Sequence, residues 1–309
     1  MTLAAQPLLE GSIFGLSAGA VFALLALGLV LIYRTTGVMN FAHWAIGLVG
    51  LVGYALMTGR GMVPQAAVVL SIAFSVVAGV FAYRLVFKRV SRGNQIVVIL
   101  IAVALAQFYS SIAALILGFE QFTRLPAWLP TDQVTVFDAN VRASNLITAA
   151  SAFVIAFGFL VWLRRSRTGR ALRAVAQNRE AATLAGIDEI RYSSIAWGIG
   201  SAMAALAMLL ILPHGAGAQG GLLTTFDLTP LGTLLIPAFG AALVGGLVNL
   251  PMALAGGLIF GLARELLVLA PKPWSDLRAT IAALMILMLL LLRTERFFAT
   301  KQELEALEG

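Results

Sequence analysis

Apolar runs long enough to cross a bilayer follow one another along most of the chain, broken only by short polar segments. They cover roughly Ser12–Tyr33, Gly37–Met57, Met62–Phe87, Ile96–Gly118, Ala143–Leu163, Ser194–Leu212, Leu231–Val248, Met252–Ala270 and Arg278–Leu292. A helix needs about 20 mostly apolar residues to span a membrane, so the pattern predicts an all-α integral membrane protein. Its architecture is a polytopic helical bundle of about 8–9 transmembrane segments. The second run, which contains VMNFAHWAIG, leaves two alternatives because Asn40 and His43 lie within it. It either spans or enters and returns, and in the second case the total is eight.

Composition narrows the class further. Among 309 residues, 60% are hydrophobic and only 11% are charged, whereas soluble domains run near a quarter charged. The net charge of +7 does not point to nucleic acid, because the basic residues sit in short loops between apolar runs, where they set membrane orientation. Arg84, Lys88, Arg89 and Arg92 form one such loop, Arg164–Arg191 a second, and Arg293, Arg296 and Lys301 a third. Even numbers of spans separate the three, so all belong on the cytoplasmic face, the C-terminus with them. The N-terminus lies outside if the second run spans and inside if it does not. The opposite-face segments, Phe119–Arg142 and Pro213–Pro230, are nearly charge-balanced and rich in turn formers, including Pro126, Pro130 and the Gly215–Gly221 cluster. MTLAAQPLLEGSIFG has no basic region of the signal-peptide kind, so the first span is expected to be retained. With no cysteine, neither disulfides nor thiolate metal sites arise. Nothing divides residues 1–309, which read as a single membrane domain.

Small residues recur at helical spacing. Gly11, Gly15 and Gly19 stand on the first run, Gly47, Gly50 and Gly53 on the second, and Gly240, Gly245, Gly246, Gly256, Gly257 and Gly261 near the end. Such spacing lets helix backbones approach closely in lipid. This predicts helix packing through Gly11, Gly15, Gly19, Gly245, Gly246, Gly256, Gly257 and Gly261, or packing that also lines a moving pathway. Asn40 and His43 are costly at membrane depth and are expected to face the bundle or a wet cavity. Arg264 and Glu265, adjacent on a helix, are expected not to face each other and to reach toward water at the outer end of a span.

One segment breaks the apolar pattern decisively. Within a loop of about residues 164–193, RRSRTGRALRAVAQNREAATLAGIDEIR holds seven arginines against Glu180, Asp188 and Glu189. Strong helix formers fill it, and Leu172, Val175, Ala176, Arg179, Ala182 and Thr183 draw one narrow, weakly apolar stripe. Gly186 stops the helix. By spacing alone, such a helix fits a shallow groove on a partner, a surface of anionic lipid, or a solvated connector.

Three segments carry a resemblance. EAATLAGI, Glu180–Ile187, resembles the EAA-type loop with which permeases of ABC importers insert a coupling helix into their ATPase. LALGLVLIYRTTGVMNFAHWAIGLVG resembles the opening signature of the branched-chain amino acid permeases, the LivH-type subunits, in which an N-F-A-H tetrad follows a glycine turn. IPAFGAALVGGLVNLPMALAGGLIFGLARELL is similar to that family's glycine-rich late hairpin, although VNLPMA stands at the turn where the family commonly has glycine and serine. The resemblance implies a permease subunit of an ATP-driven importer for branched-chain or other hydrophobic amino acids in the bacterial cytoplasmic (inner) membrane. Its implied partners are a second related permease, two cytoplasmic ABC ATPases and an extracytoplasmic substrate-binding protein. It also implies coupling through Arg170, Arg173, Arg179, Glu180, Ala181, Ala182 and Gly186, and a translocation pathway lined or braced by Gly37, Asn40, Phe41 and His43. No G-x-x-x-x-G-K-[ST] loop is present, so ATP and Mg are expected on the partner ATPases, with no cofactor, metal or catalytic residue in this chain. Related systems carry urea and amides, which stay open as substrates. An ion-coupled secondary transporter would need intramembrane carboxylates. A membrane enzyme would need convergent acids and bases, for which His43 and His214 on separate segments offer little.

Overall fold

The computed structural model describes residues 5–90, 93–117, 125–130, 132–137, 139–211, 234–272 and 274–292. Arg92, His214, the Pro213–Pro230 segment with its glycine cluster, and the basic residues Arg293, Arg296 and Lys301 lie outside them. The helices are α1 (Ala5–Thr36), α2 (His43–Gly59), α3 (Pro64–Ala82), α4 (Lys88–Val90), α5 (Gln95–Leu117), α6 (Ala143–Arg165), α7 (Arg167–Gln177), α8 (Arg179–Leu184), α9 (Glu189–Ile211), α10 (Leu235–Val244), α11 (Leu250–Leu266) and α12 (Ile281–Leu292). A π-helical turn, Tyr83–Phe87, joins α3 to α4.

Six helical stretches are long and apolar enough to cross a membrane, while α2, α10 and α12 are shorter apolar helices. At 1.5 Å per residue, the 17 residues of α2 reach about 25 Å, slightly less than a hydrocarbon core of about 30 Å. The helical expectation is met with one addition. A two-stranded antiparallel hairpin, β1 (Gln133–Val136) and β2 (Ala139–Arg142), pairs Gln133 with Arg142 across its mouth. It is tied to the start of α1, where Glu10 Oε1 accepts from Asn140 N at 3.1 Å.

Central position follows from apolarity on every side. Of the most apolar 18 residues in α1, 89% are buried, against 22% in α5, so α1 is the axis of the bundle and α5 lies on its flank. Antiparallel α11 runs along α1 at backbone contact. A Cβ at Gly15 would stand 2.9 Å from Leu262 Cα, and one at Gly19 2.8 Å from Leu258 Cα. Any side chain at Gly261 would meet the backbone of Gly19, and a Cβ at Gly257 would stand 2.5 Å from Ala23 N. Gly11 is looser, facing only the side chains of Leu266 and Leu269.

Two expectations about the late hairpin and its helix need correction. Gly246 does not pack a helix: its φ is +60° and a Cβ there would meet nothing within 4 Å. It turns the chain between α10 and α11, where Asn249 Oδ1 then caps α11 by accepting from Met252 N at 3.2 Å. Gly245 belongs to the same turn, and a Cβ there would strike Asn249 O, while Gly256 lets α11 close on α10, with Ala241 O 2.8 Å from its would-be Cβ. Arg264 and Glu265 do meet, Nε to Oε1 at 3.7 Å. Their Cβ atoms diverge by roughly a quarter turn, but the long arginine stem is flexible enough to curl back. The Arg264 guanidinium also lies 6.0 Å from the Phe22 ring centroid.

The second run links the two ends of the bundle. Both Gly37, before α2, and Arg179, in the arginine-rich loop, lie at one face, since a Cβ at Gly37 would stand 3.4 Å from Arg179 Nη2. Toward the other end of α2, Tyr54 Oη donates to Pro126 O at 2.5 Å in the opposite segment. Returning along α3, the chain regains the first face, where Arg84 Nε donates to Ser194 Oγ at 3.1 Å. Thus α2 leads away from the arginine-loop face toward the opposite one, and the start of α1 faces away from the arginine loop.

Candidate functional site

The N-F-A-H tetrad begins with a fold-back. Gly37, at φ +67°, turns the chain out of α1, and residues 37–42 dip back into the bundle before α2 begins. Asn40 is fully buried, its Oδ1 accepting from Ala42 N at 3.1 Å. Phe41 stacks on Phe239 of α10, ring centroids 4.7 Å apart, so the early tetrad and the late hairpin are in contact. His43 is fully buried where α1 crosses α9. Its Nε2 lies 2.8 Å from where a Cβ of Gly28 would be, and Gly200 O lies 3.0 Å from that same point. Among the described residues Asn40 Nδ2 has no hydrogen-bond partner, and the His43 ring has the Leu25 backbone as a polar neighbour. A buried unpaired polar group is expensive, and this one sits within the core of the chain.

Around the tetrad the same small-residue logic holds α2 and α3 against α9. Ala204 O lies 2.7 Å from a would-be Cβ at Gly47, and Gly79 closes directly on Ser201. Ser75 Oγ donates to Ile46 O at 2.5 Å, tying α3 to α2. Trp197 stacks on Tyr83 and Phe87 of the π-helical turn, at 5.8 and 4.8 Å.

The arginine loop folds as two helices, not one. At Asn178 the backbone leaves the helical region (φ −155°, ψ 107°), and its side chain caps α8 by accepting from Ala181 N at 3.0 Å. Asparagine favours this competition with the helix ladder, so the single stripe read from spacing is broken. Its apolar members do not face a partner groove either. Leu172 and Val175 are 1% exposed and Ala182 4%, because α7 lays its apolar side on α6, α9 and α1. Two of the arginines turn inward as well. Arg173 Nη1 donates to Leu163 O at 2.5 Å, satisfying a free carbonyl at the end of α6. Arg179 Nη1 lies 3.6 Å from Glu189 Oε1.

What remains outward is a compact knuckle. Glu180, Ala181, Thr183, Ala185 and Gly186 are exposed, as is Arg170, which holds Arg165 O at 3.1 Å. Leu184 is 90% exposed at its tip, an apolar residue that the helical stripe did not select. Gly186 (φ +80°) closes α8, with Gly186 N bonded to Thr183 O and Ile187 N to Ala182 O, the paired bonds of a glycine C-terminus.

A second polar feature also escapes motif reading. On α5, Gln107 and Ser111 are both exposed near mid-span, Nε2 to Oγ at 3.5 Å. Its signal is present in the sequence as two polar residues one helical turn apart inside an unbroken apolar run.

The family described as the permease component of branched-chain amino acid transport systems matches residues 12–293. The high-affinity branched-chain amino acid transport system permease protein BraD of Pseudomonas aeruginosa is 28% identical over 269 residues, covering 82% of this chain and 84% of that protein. LivH of Escherichia coli K12 is 28% identical over 265 residues, covering 82% and 83%. A probable LivH of Methanocaldococcus jannaschii is 28% identical over 280 residues, covering 86% and 82%. Among solved structures, PsaBC from Streptococcus pneumoniae aligns over 96% of this chain and 94% of its own, with TM-score 0.52 at 16% identity. An inward-facing putative metal-chelate type ABC transporter aligns over 92% and 85%, with TM-score 0.51 at 18% identity. These two likenesses concern the fold alone.

Proposed function

The chain belongs to the family of permease components of branched-chain amino acid transport systems, and from that premise we propose that it forms half of the membrane channel of an ATP-driven importer. The family match across residues 12–293 carries this reading. The substrate is a branched-chain or similarly hydrophobic amino acid, handed over by an extracytoplasmic binding protein. A second, related permease completes the channel, and two ATPases bind ATP and Mg on the cytoplasmic side, where the arginine loop and the C-terminus lie.

The knuckle Glu180–Gly186 meets the ATPase, with Leu184 as its apolar anchor. Force then has a defined route. Arg179 joins α8 to Glu189 of α9 and reaches the Gly37 turn, while Arg173 joins α7 to the end of α6. Displacement of the knuckle therefore acts on three helices and on the start of the tetrad together. Asn40 and His43 serve as the pivot of that movement inside the protomer. Gln107 and Ser111 face the seam with the second permease, because an amide at mid-span does not belong in lipid.

The test is reconstitution of the chain with its companion permease, ATPases and binding protein in vesicles, followed by leucine uptake. ATP-dependent uptake that fails when residues 178–186 are deleted, with loss of the ATPase from the purified complex, supports the proposal. Uptake that persists without ATP and collapses with an uncoupler overturns it.

A further inference from the structure

Where α1, α6, α7 and α11 come together on the arginine-loop face, they line an open cavity of about 530 Å³. Arg34, Arg164 and Arg173 line it, and no carboxylate does among the described residues. Arg34 and Arg173 share this lining, so their like charges repel across it. The positive end of the α11 dipole faces the same space, since the lining includes Asn249, Leu250 and Pro251 at its start. Arg173 spends one donor on Leu163 O, while Arg34 and Arg164 make no ion pair among the described residues. Three like charges without a counter-ion at the edge of an apolar bundle call for an anion.

The rest of the wall restricts which anion. Leu160 and Leu163 form one side, and Val248 and Met252, 56% and 41% exposed, stand at the rim. A free phosphate would satisfy the arginines and leave that wall bare. A carboxylate from a docked protein would do the same. A molecule with an anionic head and an apolar body continuous with it satisfies both.

We propose that this cavity holds the phosphate of an anionic phospholipid from the leaflet on the arginine-loop side, its glycerol and first acyl carbons lying along Leu160, Val248 and Met252. The site is distinct from the tetrad and from the outward knuckle, and it requires only that the chain resides in a membrane. Because Arg173 belongs both to this cavity and to α7, an occupied site screens the repulsion that would otherwise push α7 from α1.

The experiment uses the whole complex as purified in mild detergent, transferred to nanodiscs of phosphatidylcholine with a minority of phosphatidylglycerol. Retained lipid is counted by native mass spectrometry. Phosphatidylglycerol is expected to remain preferentially, and each of Arg34→Gln and Arg164→Gln to lower its retention about fivefold, the effect of about one basic residue's attraction to anionic lipid. The lysine variants at both positions keep most of the retention. Met252→Glu, at the exposed rim, lowers it with every arginine intact and guards against misfolding of the arginine variants. Retention unchanged in both the double glutamine variant and Met252→Glu overturns the proposal. So does displacement of the lipid by excess inorganic phosphate, which would make this a free-phosphate site. Loss of a co-purifying subunit without loss of phosphatidylglycerol also overturns it, since a protein carboxylate would then be the occupant.

Discussion

His43 and Gly28 occupy complementary halves of one space. The imidazole edge on α2 lies where a side chain on α1 would be, 2.8 Å from the Cβ position, and Gly200 O of α9 closes the gap from the other side at 3.0 Å. Three helices therefore meet at a point that contains one ring and two glycines. That arrangement explains how a histidine is accommodated at this depth: it fills volume that no neighbour can.

Gly28→Ala is expected to destabilise the subunit by about 1–3 kcal/mol, the usual cost of overpacking a filled core. Thermal melting of the purified complex reads this directly. Adding His43→Ala returns only part of the loss, because the new methyl still meets Gly200 O. Unchanged melting of Gly28→Ala would show that α1 and α9 are further apart than described.

Gly261, in the α1–α11 contact, and Gly158, on α6, differ in what surrounds them. Gly261→Leu must drive a side chain into the backbone of Gly19 and is expected to abolish the folded subunit. A Cβ at Gly158 on α6 would meet nothing within 4 Å, and Gly158→Leu is expected to accumulate normally. Fluorescence-detected size-exclusion profiles of tagged variants distinguish them.

Leu184 and Arg179 are five residues apart yet predict different losses. Leu184→Asp leaves melting unchanged, since the side chain is 90% exposed, but reduces ATPase retention by about tenfold, or about 1.4 kcal/mol. Arg179→Ala removes a partly buried pair and lowers melting, by about 1 kcal/mol after discounting for solvent. A drop in melting for Leu184→Asp would mean that the knuckle is covered by its own chain.

Asn178→Ala removes the cap between α7 and α8 and is expected to cost about 1 kcal/mol, with Asn178→Asp keeping most of it. The more informative readout is leucine transported per ATP hydrolysed. Loss of the break lets the two helices merge, so hydrolysis continues while transport falls.

Gln107→Leu is expected to lower uptake without releasing the companion permease, because leucine preserves the apolar seam and removes the amide. Cross-linking at Gln107→Cys reports the seam cleanly, as the chain has no native cysteine. Absence of any cross-link to a second permease would place Gln107 toward lipid instead.

Much of the architecture was legible because lipid imposes simple rules. Runs of apolar residues must be helices with their backbone bonds satisfied internally, so each apolar run contains a helix in the described residues. Family signatures at Glu180–Ile187 and Asn40–His43 were equally visible, since both depend on local residue order. The β hairpin was not legible: four-residue strands in a polar loop produce no long periodic signal. Neither was the Arg264–Glu265 contact, which depends on how far a flexible stem bends. The arginine-rich loop misled in a specific way. Helix formers on both sides of Asn178 outweighed a capping residue whose role depends on the conformation it adopts.

Residue order by itself determined that this chain lives in a membrane and that its apolar runs are helical, because partition acts residue by residue. Only the tertiary structure decided that Leu172 and Val175 turn inward while Leu184 stands out, and that His43 rests on Gly28. Those outcomes depend on which surfaces remain once α1, α9 and α11 have closed on one another, and close packing is a property of several segments at once.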